Sequence, residues 1–364
     1  MLKSFLRDRL LLILFLSAVL IKLFSLNESW VEQYYTNGVY PVISRCLRAI
    51  LGWIPFSFGD VLYVLAGMFL ILKTWKLLKL LARRQVKEYL SWILFRRYLK
   101  LVLWIYILFN VLWGLNYNRL GIEHQLGLNV NNISEKDLYS LTSMLHQRLN
   151  EYAVQIDSVK RLRFDNNRIL FEQAKDDYEK AAKEFDFLQY QFPSMKASLY
   201  GAAGKYFAYT GYYNPFTAEA QIKTSIPVFL KSFVMNHEIA HQIGYAKENE
   251  ASFVSYLVGK NSSSIEVRYS VYYDVYFDAI RQFRSKEALP FIKNLRKSLH
   301  PRVLKDLKAQ YEYLYKNRNA VAPFMTEAYD KYLKLNNQPK GTATYNEVVR
   351  WLIAYMNKYG PDAL

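Results

Sequence analysis

The sequence predicts a mainly α-helical protein, in which three transmembrane helices precede a mostly helical domain with a small β element. Three apolar stretches crowd the first third of the 364-residue chain. The remainder carries apolar and charged residues at helical spacing, and two short alternating runs give its clearest β signal. We therefore expect a membrane region over residues 1–117 and one globular domain over residues 118–364, which is long enough to have its own core.

The three apolar stretches run from Leu10 to Leu26, from about Phe58 to Leu78 and from about Leu99 to Tyr117. Each approaches the roughly 20 residues that cross a bilayer. The third contains three aromatic residues that are available as interfacial anchors, Trp104, Trp113 and Tyr117. The alternative for the first stretch is a cleaved signal peptide, although no clear cleavage site follows it. The alternative for the other two is a pair of buried core helices.

Basic residues suggest how these helices are oriented. Lys3, Arg7 and Arg9 precede the first stretch. A larger basic group surrounds the join of the second and third stretches, opposed only by Glu88: Lys73, Lys76, Lys79, Arg83, Arg84, Lys87, Arg96, Arg97 and Lys100. The positive-inside rule then predicts that the N-terminus and the 79–98 loop are cytoplasmic and that everything after about residue 118 is outside the cytoplasm.

Composition limits the other classes of function. The net charge of +17 is concentrated beside the apolar stretches, where basic residues meet anionic lipid headgroups, and no nucleic-acid motif accompanies it. We therefore expect a lipid bilayer as a partner and no nucleic acid. Cys46 is the only cysteine, which excludes an intramolecular disulfide and a thiolate zinc cluster.

The globular part is predicted to be mostly helical. Ser134 is a candidate cap for a helix that begins at Glu135, and Thr344 and Glu347 have capping-box spacing before a last helix. The predicted helices span residues 135–151, 168–185, 265–283, 286–299, 302–319 and 345–356. Two short β runs, Phe207–Thr210 and Ala220–Thr224, flank Gly211 and Pro215. Such a strand could pair with an extended peptide or could belong to an ordinary hairpin.

The most informative motif is His237-Glu238-Ile239-Ala240-His241, an H-E-x-x-H signature in a chain with five His. Residues four apart share a helix face, so both imidazoles can reach one metal ion. Neutral imidazoles suit zinc, which lowers the pKa of a bound water, and a neighbouring carboxylate can take the proton of that water. The motif therefore predicts a Zn²⁺ site with His237 and His241 as ligands and Glu238 as base.

A catalytic zinc usually takes a third protein ligand. Lys247 stands where a metzincin would have its third histidine, so a carboxylate from the next helix is expected. Glu248 and Glu250 are the candidates, and they point to roughly opposite sides of a helix. Glu250 shares its face with Phe253, Val254 and Leu257, an inward-packing stripe, and is favoured over Glu248, which stays open as the alternative.

The stretch from His237 to Leu257 resembles the core of zincins, and the whole chain resembles a bacterial membrane-anchored family, the domain of unknown function 3810. Further matching stretches are Ile54–Ser57, Leu112–Tyr117, Gly211–Ala220 and Ala343–Tyr345. The resemblance implies a zincin-like domain with ligands His237, His241 and Glu250 and the base Glu238. One departure is Ser252, where the family more commonly has Asn, and it is expected to touch no proposed ligand.

These patterns together predict a membrane-anchored zinc-dependent peptidase acting on a peptide or protein. It would be a multi-pass protein of the bacterial inner membrane whose catalytic domain faces the periplasm or exterior. The alternative is a non-catalytic membrane protein that keeps zinc for structure or binding. An intramembrane protease is disfavoured, because polar residues such as Lys231 and Asn236 make the segment around the motif too polar for a lipid-facing helix. Tyr269, Tyr272 and Tyr273 are expected in the core rather than in a site.

Overall fold

The structure is a computed structural model that describes residues 8–82, 92–130, 133–201, 206 and 209–364. Lys3 and Arg7 lie outside the described residues, as do residues 83–91 of the predicted cytoplasmic loop and residues 207–208 of the first predicted β run. Helices dominate, and a three-stranded sheet is the β element, as predicted.

Most helices of the described chain have between 12 and 25 residues. In chain order they are α1 (Arg9–Ser25), α2 (Glu28–Leu51), α3 (Phe58–Ala82), α4 (Trp92–Leu112), α5 (Ile122–Leu126), α6 (Glu135–Gln155), α7 (Ser158–Arg161), α8 (Asn167–Ala181), α9 (Val228–Gln242), α10 (Glu248–Lys260), α11 (Ile265–Gln282), α12 (Leu289–Lys297), α13 (Pro301–Lys316), α14 (Ala322–Leu335) and α15 (Val348–Tyr359).

Among the described helices, α3 is long and apolar enough to cross a membrane. Helices α1 and α2 reach that standard only together, as a pair bent by 99°, so the described residues support one or two crossings and not clearly three. Helix α4 carries Arg96, Arg97 and Lys100, and Lys100 pairs with Asp8 at the start of α1 at 2.8 Å.

The third apolar stretch ends earlier than predicted. Helix α4 stops at Leu112, and the chain continues into a short 3₁₀ turn, Gly114–Asn118. Trp113 and Tyr117 were expected as interfacial anchors, but this was wrong, because they are only 4% and 2% exposed and pack against the globular part. Hydropathy alone cannot separate an apolar side chain that faces lipid from one that faces protein.

Sequence patterns located the helices of the globular part well. The Ser134 cap is confirmed as a reciprocal capping box with Asp137 at the start of α6. The predicted capping box at Thr344 is wrong, because Gly341–Glu347 is a 3₁₀ segment and α15 begins at Val348 without a side-chain cap. Pro290 lies in the first turn of α12, where a missing N–H costs nothing.

The sheet consists of β1 (Met195–Ala197), β2 (Gly211–Asn214) and β3 (Glu219–Ile222), in the order β1-β3-β2. Strand β3 is central, parallel to β1 and antiparallel to β2. The second predicted β run, Ala220–Thr224, is confirmed in part as β3. The first run, predicted to end at Thr210, is followed by β2, which begins only at Gly211. Strand β1 was not predicted. The sheet packs on α9, so β2 passes close to the H-E-x-x-H motif.

Helices α9 and α10 form the centre of the core. Every residue of α10 is buried, and so is almost every residue of α9, because other helices and the sheet surround both. A helix buried on all sides has no single apolar stripe.

Candidate metal centre

Helix α9 and the turn after it bring three metal-binding side chains together. His237 and His241 are one turn apart on α9, and Gly244 ends the helix with φ of +100°. A side chain at Gly244 would be strained at that φ and would crowd the Tyr40 ring. The reversal starts α10 at Glu248, whose carboxylate returns to the two histidines.

The three potential ligand atoms are close enough to share an ion. Oε2 of Glu248 lies 3.1 Å from Nε2 of His237 and 3.5 Å from Nε2 of His241. One ligand atom from each of the three residues falls within 4.8 Å of the others, and all three residues are buried. Ligands about 2 Å from a tetrahedral zinc are roughly 3.3 Å apart, so the two measured separations fit such an ion.

The other ring nitrogens are held in place. Nδ1 of His241 lies 2.7 Å from the carbonyl oxygen of Tyr245, which can only accept, so this nitrogen donates and Nε2 is left free to bind a metal. Nδ1 of His237 lies 3.2 Å from Oγ of Ser252. Ligand histidines are typically oriented in this way by a second hydrogen bond.

The choice between the two glutamates is corrected by this geometry. Glu250 was favoured, but its carboxylate is directed away from the histidines, with Oε1 3.9 Å from Nζ of Lys247 and packed against Gly121. Glu250 was favoured because it shares a helix face with apolar residues. That reasoning failed because every face of α10 is buried, so apolar neighbours do not show which face is directed toward the histidines. Glu248, at the first position of the helix, is the carboxylate beside the histidines.

Ionisation within the trio depends on this carboxylate. Burial opposes the charging of His241, yet the neighbouring Glu248 raises the pKa of that imidazole to about 9. Burial lowers the pKa of His237. For Glu248, burial is outweighed by the two histidines, which hold the pKa of its carboxyl well below the usual range. A divalent cation would take the place of the proton that now offsets the carboxylate charge.

Glu238 lies beside the trio without joining it. It is 5% exposed, and its Oε2 has no hydrogen-bond partner within the part of the chain that the structure describes. Its Oε1 lies under Gly211 of β2, so close that a Cβ on that glycine would be 2.7 Å away. Burial raises the pKa of the Glu238 carboxyl to about 8, with His241 opposing the shift and Glu248 adding to it.

Two tyrosines from the C-terminal part complete the site, and the motif gave no sign of them. Tyr329 of α14 donates to Oε1 of Glu248 at 2.5 Å, so that oxygen is occupied and Oε2 remains for a metal. The ring of Tyr345 stacks on His237 with 6.1 Å between centroids. Desolvation and the Glu248 charge raise the pKa of Tyr345 well above its usual value, so its phenol keeps its proton.

Ser252 and Trp113 also touch the ligands. The expectation that Ser252 contacts no ligand was wrong, since it lies beside His237. Trp113 donates from Nε1 to the His241 carbonyl at 3.1 Å, and its ring lies edge-on to the imidazole. The signal that could have found these contacts was the set of separate matching stretches.

Those stretches converge on the site from distant parts of the chain. Trp113 contacts His241, Gly211 covers Glu238 and Tyr345 stacks on His237. Ser57 reaches it indirectly, by donating to the buried Glu219 of β3. Glu219 also accepts from the backbone N–H groups at the start of α3, which fixes that apolar helix to the sheet.

The remaining candidates lie elsewhere. Tyr269, Tyr272 and Tyr273 are buried in the helical core, where their phenols donate to Asp306, to the Leu364 carbonyl and to Gln310. Of the other histidines, His146 bonds the Leu295 carbonyl and His300 caps α13.

Comparison with known proteins gives one result. No curated protein and no solved structure matches the chain. The family model described as "Protein of unknown function (DUF3810)" matches residues 35–353, from within α2 to the middle of α15, a range that includes the whole candidate metal centre. The chain therefore belongs to the DUF3810 family.

Proposed function

We propose that this protein is a membrane-anchored, zinc-dependent peptidase with a zincin-like site. The observation that carries the proposal is the meeting of His237, His241 and Glu248, with Glu238 beside them and not among the ligands. A purely structural zinc site is closed and needs no neighbouring base. Here Glu238 keeps an oxygen without a partner, as a general base requires.

The donor set fits zinc, with His237, His241 and Glu248 as its ligands. When bound, zinc polarises a carbonyl and lowers the pKa of water that it coordinates. Glu238 accepts the proton of the attacking water and can return it to the leaving amine. Tyr345 keeps its phenolic proton next to the ligands, and we propose that it donates to the carbonyl oxygen as negative charge develops there.

The sheet suggests how a peptide is held. Strand β2 is at the end of the strand order, and its first residue, Gly211, lies directly over Glu238. A substrate in extended form that paired with β2 would run past the base and the ligands. This supports peptide hydrolysis over hydrolysis of a small molecule.

Metal analysis combined with one isosteric substitution tests the proposal. We expect purified wild-type protein to hold about one zinc per chain and to cleave members of a peptide library. Glu238→Gln should retain the zinc and lose activity by at least about a thousandfold, because the base is gone while the ligands remain. Glu312→Gln, the same change on an exposed glutamate of α13, is the control.

Two results would count against the proposal. A wild-type protein without bound metal after preparation in zinc-containing buffer would remove its basis. Full activity in Glu238→Gln would remove the base. Zinc binding with no cleavage of any peptide would favour the second candidate, a non-catalytic zinc protein.

We also propose the complete topology: three crossings of the bacterial inner membrane, with residues after about 118 facing the periplasm. Support comes from the basic residues at the end of α3 and the start of α4, including Lys76, Lys79 and Arg97. A phosphatase reporter that is active only outside the cytoplasm, fused after Leu364, should be active. Activity from a fusion in the 79–98 loop instead would invert the topology.

A further inference from the structure

Helix α2 has an unusual distribution of residues between its faces. In its second half, Tyr40–Leu51, the buried residues are Tyr40, Ser44 and Arg48, spaced four residues apart, so the buried face there is largely polar. The opposite face is exposed although it is apolar, with Val39, Val42 and Ile50 more than half exposed. In a water-soluble helix the distribution is the reverse. An apolar exposed face is typical of a helix that lies on a bilayer surface, and α2 stands between the apolar helices α1 and α3.

A cavity of about 210 Å³ opens beside the polar face of α2. Three arginines and one aspartate line it: Arg45, Arg48, Arg119 and Asp186. Arg119 is already neutralised, because its guanidinium forms two hydrogen bonds with Glu32, of 3.0 and 2.8 Å. The lining therefore carries excess positive charge.

Arg48 is the unusual member of this lining. It is 4% exposed, and neither its Nε nor its Nη1 has a hydrogen-bond partner among the described residues. Its guanidinium lies 5.2 Å from the ring centre of Tyr190, a contact that satisfies no N–H group. A guanidinium cannot lose its proton, so its charge stays in the buried environment and favours an anionic partner there.

We propose that this cavity binds the phosphate of a phospholipid headgroup, with Arg48 as its principal contact. Guanidinium N–H groups match phosphate oxygens in a two-pronged geometry, which would satisfy the free donors of Arg48. Arg45, half-buried beside the exposed Gln191 and 3.3 Å from its side-chain oxygen, stands at the entrance. The apolar face of α2, on the opposite side of the helix, would meet acyl chains of the surrounding bilayer.

The cavity adjoins the metal centre without being part of it. Gln242 and Tyr245 line it, and they follow directly on the ligand His241. Tyr40 and Ser44 both donate to the Gln242 carbonyl, which ties the polar face of α2 to the end of α9. The binding of a headgroup does not depend on the proposed peptidase activity and can be measured without it.

The test uses the full chain in detergent micelles, with unfolding temperature and lipid binding by native mass spectrometry as readouts. We expect dioctanoyl phosphatidylglycerol to bind the wild type and raise its unfolding temperature. Inorganic phosphate, at matched ionic strength, should give a smaller shift. Arg48→Gln should weaken lipid binding by about tenfold or more, as expected for the loss of charge-assisted hydrogen bonds.

Arg284→Gln, the same change at an exposed position, should bind like the wild type. Should Arg48→Gln fail to fold, Arg45→Gln at the entrance provides the comparison, with an expected loss of severalfold. Unchanged lipid binding in the folded variant would overturn the proposal. A full stabilising shift from inorganic phosphate, with none added by lipid, would identify a site for free phosphate instead of a headgroup.

Discussion

The metal centre and the arginine cavity lie on two sides of the same turn, residues 242–247, yet they differ in how their polar groups are satisfied. In the metal centre each ligand has a second contact: His237 with Ser252, His241 with Tyr245 and Glu248 with Tyr329. In the cavity the buried guanidinium of Arg48 has two nitrogens without a partner among the residues that the structure describes. The contacts of the first region come from the protein alone, and the proposed ion would be all that it lacks. The second needs a polar ligand of some size.

The largest expected effect concerns the third ligand. Glu248→Ala should lose zinc and activity, the latter by at least about a thousandfold, because two imidazoles bind zinc weakly. Glu250→Ala, its matched control two residues away, should keep both, since its carboxylate faces Lys247. Zinc content and peptide cleavage measure the difference. Loss of zinc in Glu250→Ala alone would restore the sequence-based choice.

The next prediction separates the role of Glu238 as base from the role of the three proposed metal ligands. Gly211→Ala should place a methyl group against Oε1 of Glu238 and Cγ1 of Val234, and so displace the base. A displacement of about 1 Å can cost about a hundredfold in rate, whereas zinc content should not change. Gly67→Ala in α3 meets no neighbouring atom and serves as the control. Normal cleavage by Gly211→Ala would mean that Glu238 tolerates displacement.

A smaller effect is expected at the second contact of His237. Ser252→Ala removes the partner of Nδ1 and should weaken zinc binding by about 10- to 100-fold, the usual effect of losing such a partner. Competition with a chelator measures the affinity. Ser143→Ala, on the exposed side of α6, is the control. Ser252→Asn, which keeps a hydrogen-bonding side chain at this position, should lose less zinc affinity than Ser252→Ala.

The smallest effect concerns stability: it tests how far a buried carboxylate with incomplete hydrogen bonding lowers the free energy of unfolding in another part of the fold. Asp177 of α8 accepts from Gln173 and Ser262 through one oxygen, while its other oxygen has no partner. Burial raises the pKa of this carboxyl to about 6, above its usual value of 3.8. Its contribution to stability is therefore complete below about pH 4 and is lost as the pH rises through about 6.

Asp177→Asn removes the loss of stability at higher pH, because the amide cannot ionise. We expect the variant to be more stable than the wild type at pH 7.5 by about 1–3 kcal/mol, and to gain little at pH 4. Denaturant unfolding at the two pH values measures this, with Asp362→Asn, at an exposed position, as control. An equal gain at both pH values would trace the effect to packing and not to charge.

Local patterns in the sequence were sufficient for most helices of the globular part, though not for α14, and for half of the candidate site. Ser134 begins α6 because its hydroxyl satisfies a free backbone N–H, a contact made within four residues. The same locality holds for His237 and His241, since a helix places residues four apart on one face whatever surrounds it. The H-E-x-x-H motif therefore fixed both histidines and set Glu238 beside them.

Tertiary structure decided the rest, because it depends on contacts between distant segments. Glu248 was chosen over Glu250 by the turn at Gly244 and by burial of α10 on all sides, which the apolar stripe could not reveal. Tyr329 and Tyr345 reach the ligands from about a hundred residues downstream. The free guanidinium of Arg48 is visible only once α2 packs against the end of α9, since hydropathy records how apolar a residue is and not what it faces.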